Sequence, residues 1–178
     1  MAKTVRTMMA KQPVAEVLPN PDAPVPEQVR AWRDKFLHTR FFPSAAQELP
    51  LMIVGRTVVE GEDIILAGTL PTKDHVAPFI EYLLEHGARW VISIAEAYTY
   101  DTVKQGNEQV KNPATKRECL VIAAYAEGWR EVAVQHFSRS GGKIGVPRPT
   151  AEMVVLDCSG GAELTGGMIP FSDDSPGN

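Results

Sequence analysis

The chain has 178 residues and a mass of 19.5 kDa, the size of one domain. Hydrophobic residues make up 44% and charged residues 22%, which excludes a wholly disordered, collagen-like or coiled-coil chain and allows a core without disulfide or metal. A formal charge of -4 excludes a globally basic nucleic-acid binder, and two cysteines exclude a disulfide framework; no apolar run reaches the roughly 18 residues of a membrane span, so a soluble, cytoplasmic protein is expected.

Residues 1–24 carry four prolines, and residues 1–15 hold three basic residues and no acid. They contain no apolar stretch of the kind found in a secretory signal, and they read as a flexible basic arm. Charge is uneven. Residues 1–40 carry seven Lys/Arg against four Asp/Glu, whereas residues 150–178 carry five acids and no Lys/Arg. The two ends can attract each other, within a molecule or between neighbours, provided they touch, because salt screens charge over about 8 Å.

A helix is expected from Pro26 to Leu37. Pro26 suits a first turn, where its missing N–H costs nothing, and Glu27 complements the dipole. Val29, Trp32 and Phe36 form one apolar stripe, with Arg30, Arg33 and Asp34 off it. "RFFP" closes the element at Pro43. Two short strands follow, at 51–54 and 62–68, with a tight turn at Glu60-Gly61. The clearest helix covers 73–86. Thr72 or Asp74 can cap it; Val76, Phe79, Ile80, Leu83 and Leu84 share a face; Gly87 ends it. Pro78 fits only a first turn. His75 and His86 lie too far apart along it to share a metal.

Residues 89–98 read as a central strand. Residues 101–116 are a polar excursion of a length that is usually functional or disordered. The segments 117–127 and 129–138 form the best hairpin. With Glu127-Gly128 as a two-residue turn, Ala126 pairs with Trp129, Tyr125 with Arg130, Ala123 with Val132, Val121 with Val134 and Cys119 with His136. A last strand lies at 151–157. From Ser159 the chain is a Gly-rich acidic tail.

The expected architecture is an α+β domain over 25–158. A mostly antiparallel sheet of five to six strands is covered by one main helix, 73–86, with an N-terminal helix and flexible termini. A parallel crossover from 62–68 to 89–98 would make the sheet mixed.

No P-loop, dinucleotide fingerprint, zinc motif or nucleophile elbow is present, and no metal or cofactor is implied. Three groups of residues carry candidate chemistry. Cys119 and His136 face each other across the hairpin, where an imidazole can activate a thiol; the same face carries Val121, Ala123, Val132 and Val134, which reads as core. Glu96 lies in an apolar strand on the face of Ile92, Ile94 and Tyr98 and needs a partner. With Glu118 and Lys116 near, it offers a divalent-cation site, although the common nuclease spacing is missing; Arg117 is its alternative partner. Arg139, Gly141, Gly142 and Lys143 form a loop that can cradle an anion.

The residues point to no characterised family. The expected function is a non-catalytic protein acting through protein or small-ligand contacts, an accessory or assembly subunit. Its partner, or a second copy, would be met through the termini and residues 101–116, with no membrane and no nucleic acid. The alternative is a small thiol- or metal-dependent hydrolase or nuclease using Cys119 and His136, or Glu96 and Glu118.

Overall fold

The structure is a computed structural model that describes residues 10–43, 48–140 and 145–159. Its centre is an antiparallel sheet in the order β1-β3-β2-β4-β7-β8-β10, with β9 pairing on β8. The strands are β1 (Ala10–Pro13), β2 (Met52–Val59), β3 (Glu62–Thr69), β4 (Trp90–Thr99), β7 (Arg117–Ala126), β8 (Trp129–Arg139), β9 (Pro147–Pro149) and β10 (Val154–Asp157). Two further strands, β5 (Thr102–Gln105) and β6 (Glu108–Lys111), form a separate ribbon. The helices are α1 (Val14–Val17), α2 (Val25–Phe36) and α3 (Val76–Glu85).

This corrects the expected fold. The main sheet has eight strands rather than five or six, curls into a half-barrel, and has helices on both faces instead of one main cover. The proposed parallel crossover does not occur, because β4 pairs antiparallel with β2 and not with β3. The strand count was missed where strands are short and polar. β1 is Ala-Lys-Gln-Pro and β9 is Pro-Arg-Pro, and neither shows the β-branched alternation that marks a strand.

The element carrying the largest core is α2. Val29, Trp32 and Phe36 pack with Val54, Ile65, Trp90, Ile92, Ile94, Leu120, Ile122 and Phe137 from the sheet. Trp32 and Phe36 stack with centroids 5.2 Å apart. The helix does not stop at Leu37. It widens into a π-turn over Leu37–Phe41, in which the Phe42 N–H donates to Leu37 O at 2.9 Å. The wider turn brings both Leu37 and Phe41 into the core.

On the opposite face α3 packs Val76 and Ile80 against the buried Ile53 and Val91, with Phe79, Leu83 and Leu84 alongside and Leu51, Leu70 and Tyr125 at the margin. Its beginning explains Pro78. A 3-10 turn over Lys73–His75 precedes the helix, so Pro78 sits in the first α-helical turn. Thr72 provides no cap; its Oγ1 lies 2.7 Å from His75 Nδ1. At the other end Ala88 N–H donates to Leu83 O and Gly87 N–H to Leu84 O, with Gly87 at φ +88°. This pair of bonds needs a left-handed residue at that position.

From Ala10 onward, the segment expected to be a mobile arm belongs to the fold. β1 pairs with β3, and Val14, Val17 and Leu18 are buried in the α2 core. Residues 1–9 lie outside the described residues, as do residues 160–178 of the expected tail. In dilute protein, where copies do not associate, deleting residues 1–9 is expected to leave the urea midpoint within error. Deleting residues 1–18 removes three buried aliphatic side chains and should cost about 5 kcal/mol at roughly 1.5–3 kcal/mol each. Equal stability of the two truncated proteins in urea titrations would contradict this packing.

Candidate functional site

The sheet brings candidate residues together where β4 ends and β7 begins. Glu96 sits in β4 on the face turned towards α2. Arg139, at the end of β8 and 2% exposed, meets it in a two-pronged pair. Arg139 Nη2 is 2.5 Å from Glu96 Oε1, and Arg139 Nη1 is 3.0 Å from Oε2. The Leu49 backbone N–H donates to Oε1 at 3.0 Å. Phe137 and Phe41 flank the guanidinium, with the Phe137 centroid 4.7 Å and the Phe41 centroid 6.0 Å away. The Glu96 hydrogen bond holds the Arg139 guanidinium above its ordinary pKa despite burial. Glu96 is thus partnered by Arg139 and by the Leu49 N–H rather than by solvent. Arg117, the partner considered from sequence, instead bonds Asp101 at 2.6 Å.

Glu96 and Glu118 do approach each other. Together with Glu48, Tyr98, Ala97 and Phe137 they line a cleft of about 10 Å³, room for roughly one water. Lys116 does not join the carboxylates; its ammonium lies 3.8 Å from the Tyr98 ring centroid. Among the described residues no group of three or more His, Cys, Asp or Glu is placed to hold a metal ion.

The hairpin register expected from a two-residue turn is present at all five pairs, including Cys119 opposite His136. The geometry around that pair opposes nucleophilic chemistry. Cys119 is 1% exposed and lies in an apolar cluster with Val121, Ala123, Val132, Val134 and Cys158. Burial pushes its thiol up to about 11. His136 Nε2 lies 2.8 Å from Thr99 Oγ1. Burial, and behind it the charge of Arg117, lowers the pKa of this ring.

Of the anion-loop residues, Gly141, Gly142 and Lys143 fall outside the described residues. Arg139 is described, and its terminal nitrogens are committed to Glu96. His75 and His86 make local contacts at the two ends of α3. His86 Nδ1 lies 2.7 Å from Tyr82 O, and its ring stacks on Tyr82 at 4.0 Å.

Two polar networks were not anticipated. Glu131 of β8, 3% exposed, accepts from Arg30 at 2.6 Å and Arg33 at 2.9 Å. Arg33 was read as lying off the buried stripe of α2, yet it is buried because this carboxylate awaits it. Arg56 of β2 donates to Asp63, Gln28 and Pro21, and Trp90 Nε1 donates to the same Gln28 oxygen at 3.1 Å. The sequence did contain a signal. Arg56 and Glu96 are each a lone charge inside a largely apolar strand, and such a charge requires a partner; β8, which holds Glu131 and Arg139, mixes polar and apolar residues and gives no such mark.

No family profile, no curated protein and no solved structure matches the chain. Among the described residues no helix is long and apolar enough to cross a membrane.

Two measurements check this description. With its pKa near 11, Cys119 is thiolate to about one part in ten thousand at pH 7. Iodoacetamide at pH 7 should label it at least about a hundredfold more slowly in the folded protein than in urea; peptide mapping that finds equal rates would show an accessible thiol. His136 has a lowered folded pKa against an ordinary 6.5, so the unfolded chain takes up its proton first. Its contribution is intact above pH 6.5 and is lost as the pH falls towards the folded value. The urea midpoint should drop across that window, and His136→Gln should flatten the drop. An unchanged slope in the variant would assign the effect elsewhere.

Proposed function

We propose that the protein is a non-catalytic, soluble accessory or assembly subunit that works through contacts with another protein. The observation supporting this reading is the β5–β6 ribbon. It occupies the polar excursion between β4 and β7 and, among the described residues, its two strands pair only with each other, Val103 opposite Val110 and Lys104 opposite Gln109. Seven of its eight strand residues are exposed.

A free two-stranded ribbon is marginal in water, and this one is tied at its base. Asn112 N–H donates to Asp101 O at 2.8 Å, Asp101 N–H to Thr115 Oγ1 at 2.8 Å, and Arg117 to the Asp101 carboxylate at 2.6 Å. Asn112 Oδ1 accepts from Ala114 N–H at 3.1 Å. Such a base holds an exposed ribbon at a fixed angle to the sheet, which suits a contact element. The ribbon also carries an exposed valine, Val103, on the same face as Val110.

The enzymatic alternatives have less support. Glu96 is neutralised by Arg139, Cys119 is protonated and buried, and the acidic cleft admits about one water.

A photoreactive amino acid at position 103 tests the reading against one at position 58. Val103 is 42% exposed and Val58 is 51% exposed on another hairpin, so accessibility does not separate them. Irradiation in cells should give a discrete adduct to one protein from position 103 and none from position 58. The same adduct pattern from both positions, or none from either, would reject the ribbon as a contact element. A stoichiometric metal found by native mass spectrometry would favour the hydrolase instead.

A further inference from the structure

The two outermost strands of the sheet are built differently. A sheet edge presents unpaired N–H and C=O groups and attracts further strands unless it is blunted. β1 is blunted by Lys11, by Gln12 and by Pro13, which has no N–H to offer. β10 is not. Its residues Val154 and Val155 are 45% and 41% exposed, and they point to opposite faces of the strand, so both sides are apolar.

The outward backbone positions of β10 follow from its pairing. Cys158 N–H donates to Arg130 O, and β10 runs antiparallel to β8 with Val154 opposite Val134 and Leu156 opposite Val132. Backbone direction alternates by residue in an antiparallel pair. Val154 and Leu156 therefore bond towards β8, while Val155 and Asp157 direct their N–H and C=O away from it. Glu152 and Asp157 bracket this open stretch with negative charge. A β10-to-β10 contact between two copies would bring together two segments in which residues 150–178 each hold five acids and no Lys/Arg. Charge thus disfavours that symmetric pairing and favours a basic strand.

This chain contains such a basic segment. Residues 1–9, Met-Ala-Lys-Thr-Val-Arg-Thr-Met-Met, hold Lys3 and Arg6, no acid and no proline, and Val5 and the threonines favour extended backbone. We propose that the β10 edge takes up residues 1–9 of a second copy as an added antiparallel strand. In the register that pairs Val5 with Val155, Lys3 falls opposite Asp157 and Thr4 opposite Leu156. Arg6 falls opposite Val154 and diagonal to Glu152, within reach of a long side chain. Donor and acceptor lie at different places on the molecule, so the contact is head-to-tail and builds rings or chains. This rests on the reading of the protein as an assembly subunit but not on the ribbon.

The test is sedimentation velocity of the full chain over a concentration series, at about 50 mM and about 500 mM salt. Self-association is expected, weaker at high salt. Val155→Pro removes an outward N–H at a strand edge, where proline is tolerated. It should leave the melting temperature near that of the unchanged protein and weaken association at least tenfold, about 1.4 kcal/mol. The pair Lys3→Glu and Arg6→Glu should do the same, and adding Glu152→Lys and Asp157→Lys to that chain should restore association. Replacing residues 102–111 by Gly-Gly should leave association unchanged even if the ribbon proves to contact nothing. A monomer at all concentrations overturns the proposal, as does association that ignores Val155→Pro. Association lost in Val155→Pro but kept in the charge-reversed chain also overturns it, in favour of β10 pairing with its own copy.

Discussion

The Glu131 carboxylate, buried on the inner face of β8 and held by Arg30 and Arg33, is the interaction on which the arrangement of helix and sheet depends. One end of a helix packed only through Val29, Trp32 and Phe36 could slide along an apolar sheet, since the hydrophobic effect has no direction. Two guanidinium groups on one carboxylate do have direction. Nearer its N-terminal end the same helix is fixed by Gln28, whose oxygen accepts from both Arg56 of β2 and Trp90 of β4. The helix is thus pinned to three strands, β2, β4 and β8. Breaking either contact would leave a buried charge or dipole without a partner, which costs more than the contact itself contributes.

The same accounting governs the candidate chemistry. Glu96 and Arg139 pair at the far end of β8, with Arg139 Nε left without a partner among the described residues, and Glu131 meets its arginines near the start of the same strand. A carboxylate held by a guanidinium and a backbone N–H has little capacity left for a cation. Cys119 and His136 face each other as a nucleophile and base would, but Cys119 lies in an apolar cluster that favours the neutral thiol, and burial and the Arg117 charge favour the neutral ring. Proximity across a hairpin is produced by register alone, whereas reactivity needs an environment that stabilises charge. The elements left without such internal duties are the β5–β6 ribbon and the β10 edge, and these point outward.

The legible parts of the sequence were those governed by local geometry. The 119–136 register followed from Glu127-Gly128 because a two-residue turn fixes every pair behind it. Helix α3 followed from its apolar spacing and from Gly87, and Pro78 correctly marked its first turn. Residues 101–116 were legible as an exposed excursion, but their ribbon was not. Its strands alternate weakly and are held by a base formed from Asp101, Asn112, Thr115 and Arg117. β1 was read as part of a loose arm, because its order comes from pairing with β3 and from Val14, Val17 and Leu18 finding the α2 core. The candidate site was legible as residues and not as a site. Glu96 was recognised as a charge needing a partner, but Arg139 stands 43 residues away, and nothing local joins the two.

The sequence by itself determined the tight turns, the two longer helices, the central strands and the hairpin register, because each depends on residues a few positions apart. It also marked Glu96 as a charge in an apolar strand that needs a partner. Only the tertiary structure decided which charges would meet, that α2 rather than α3 would cover the main core, and that the sheet would extend to eight strands. Those outcomes depend on contacts between distant segments. Backbone pairing at β1 and β9 leaves little trace in side-chain pattern, and a buried ion pair is specified only when two remote strands and a helix come together.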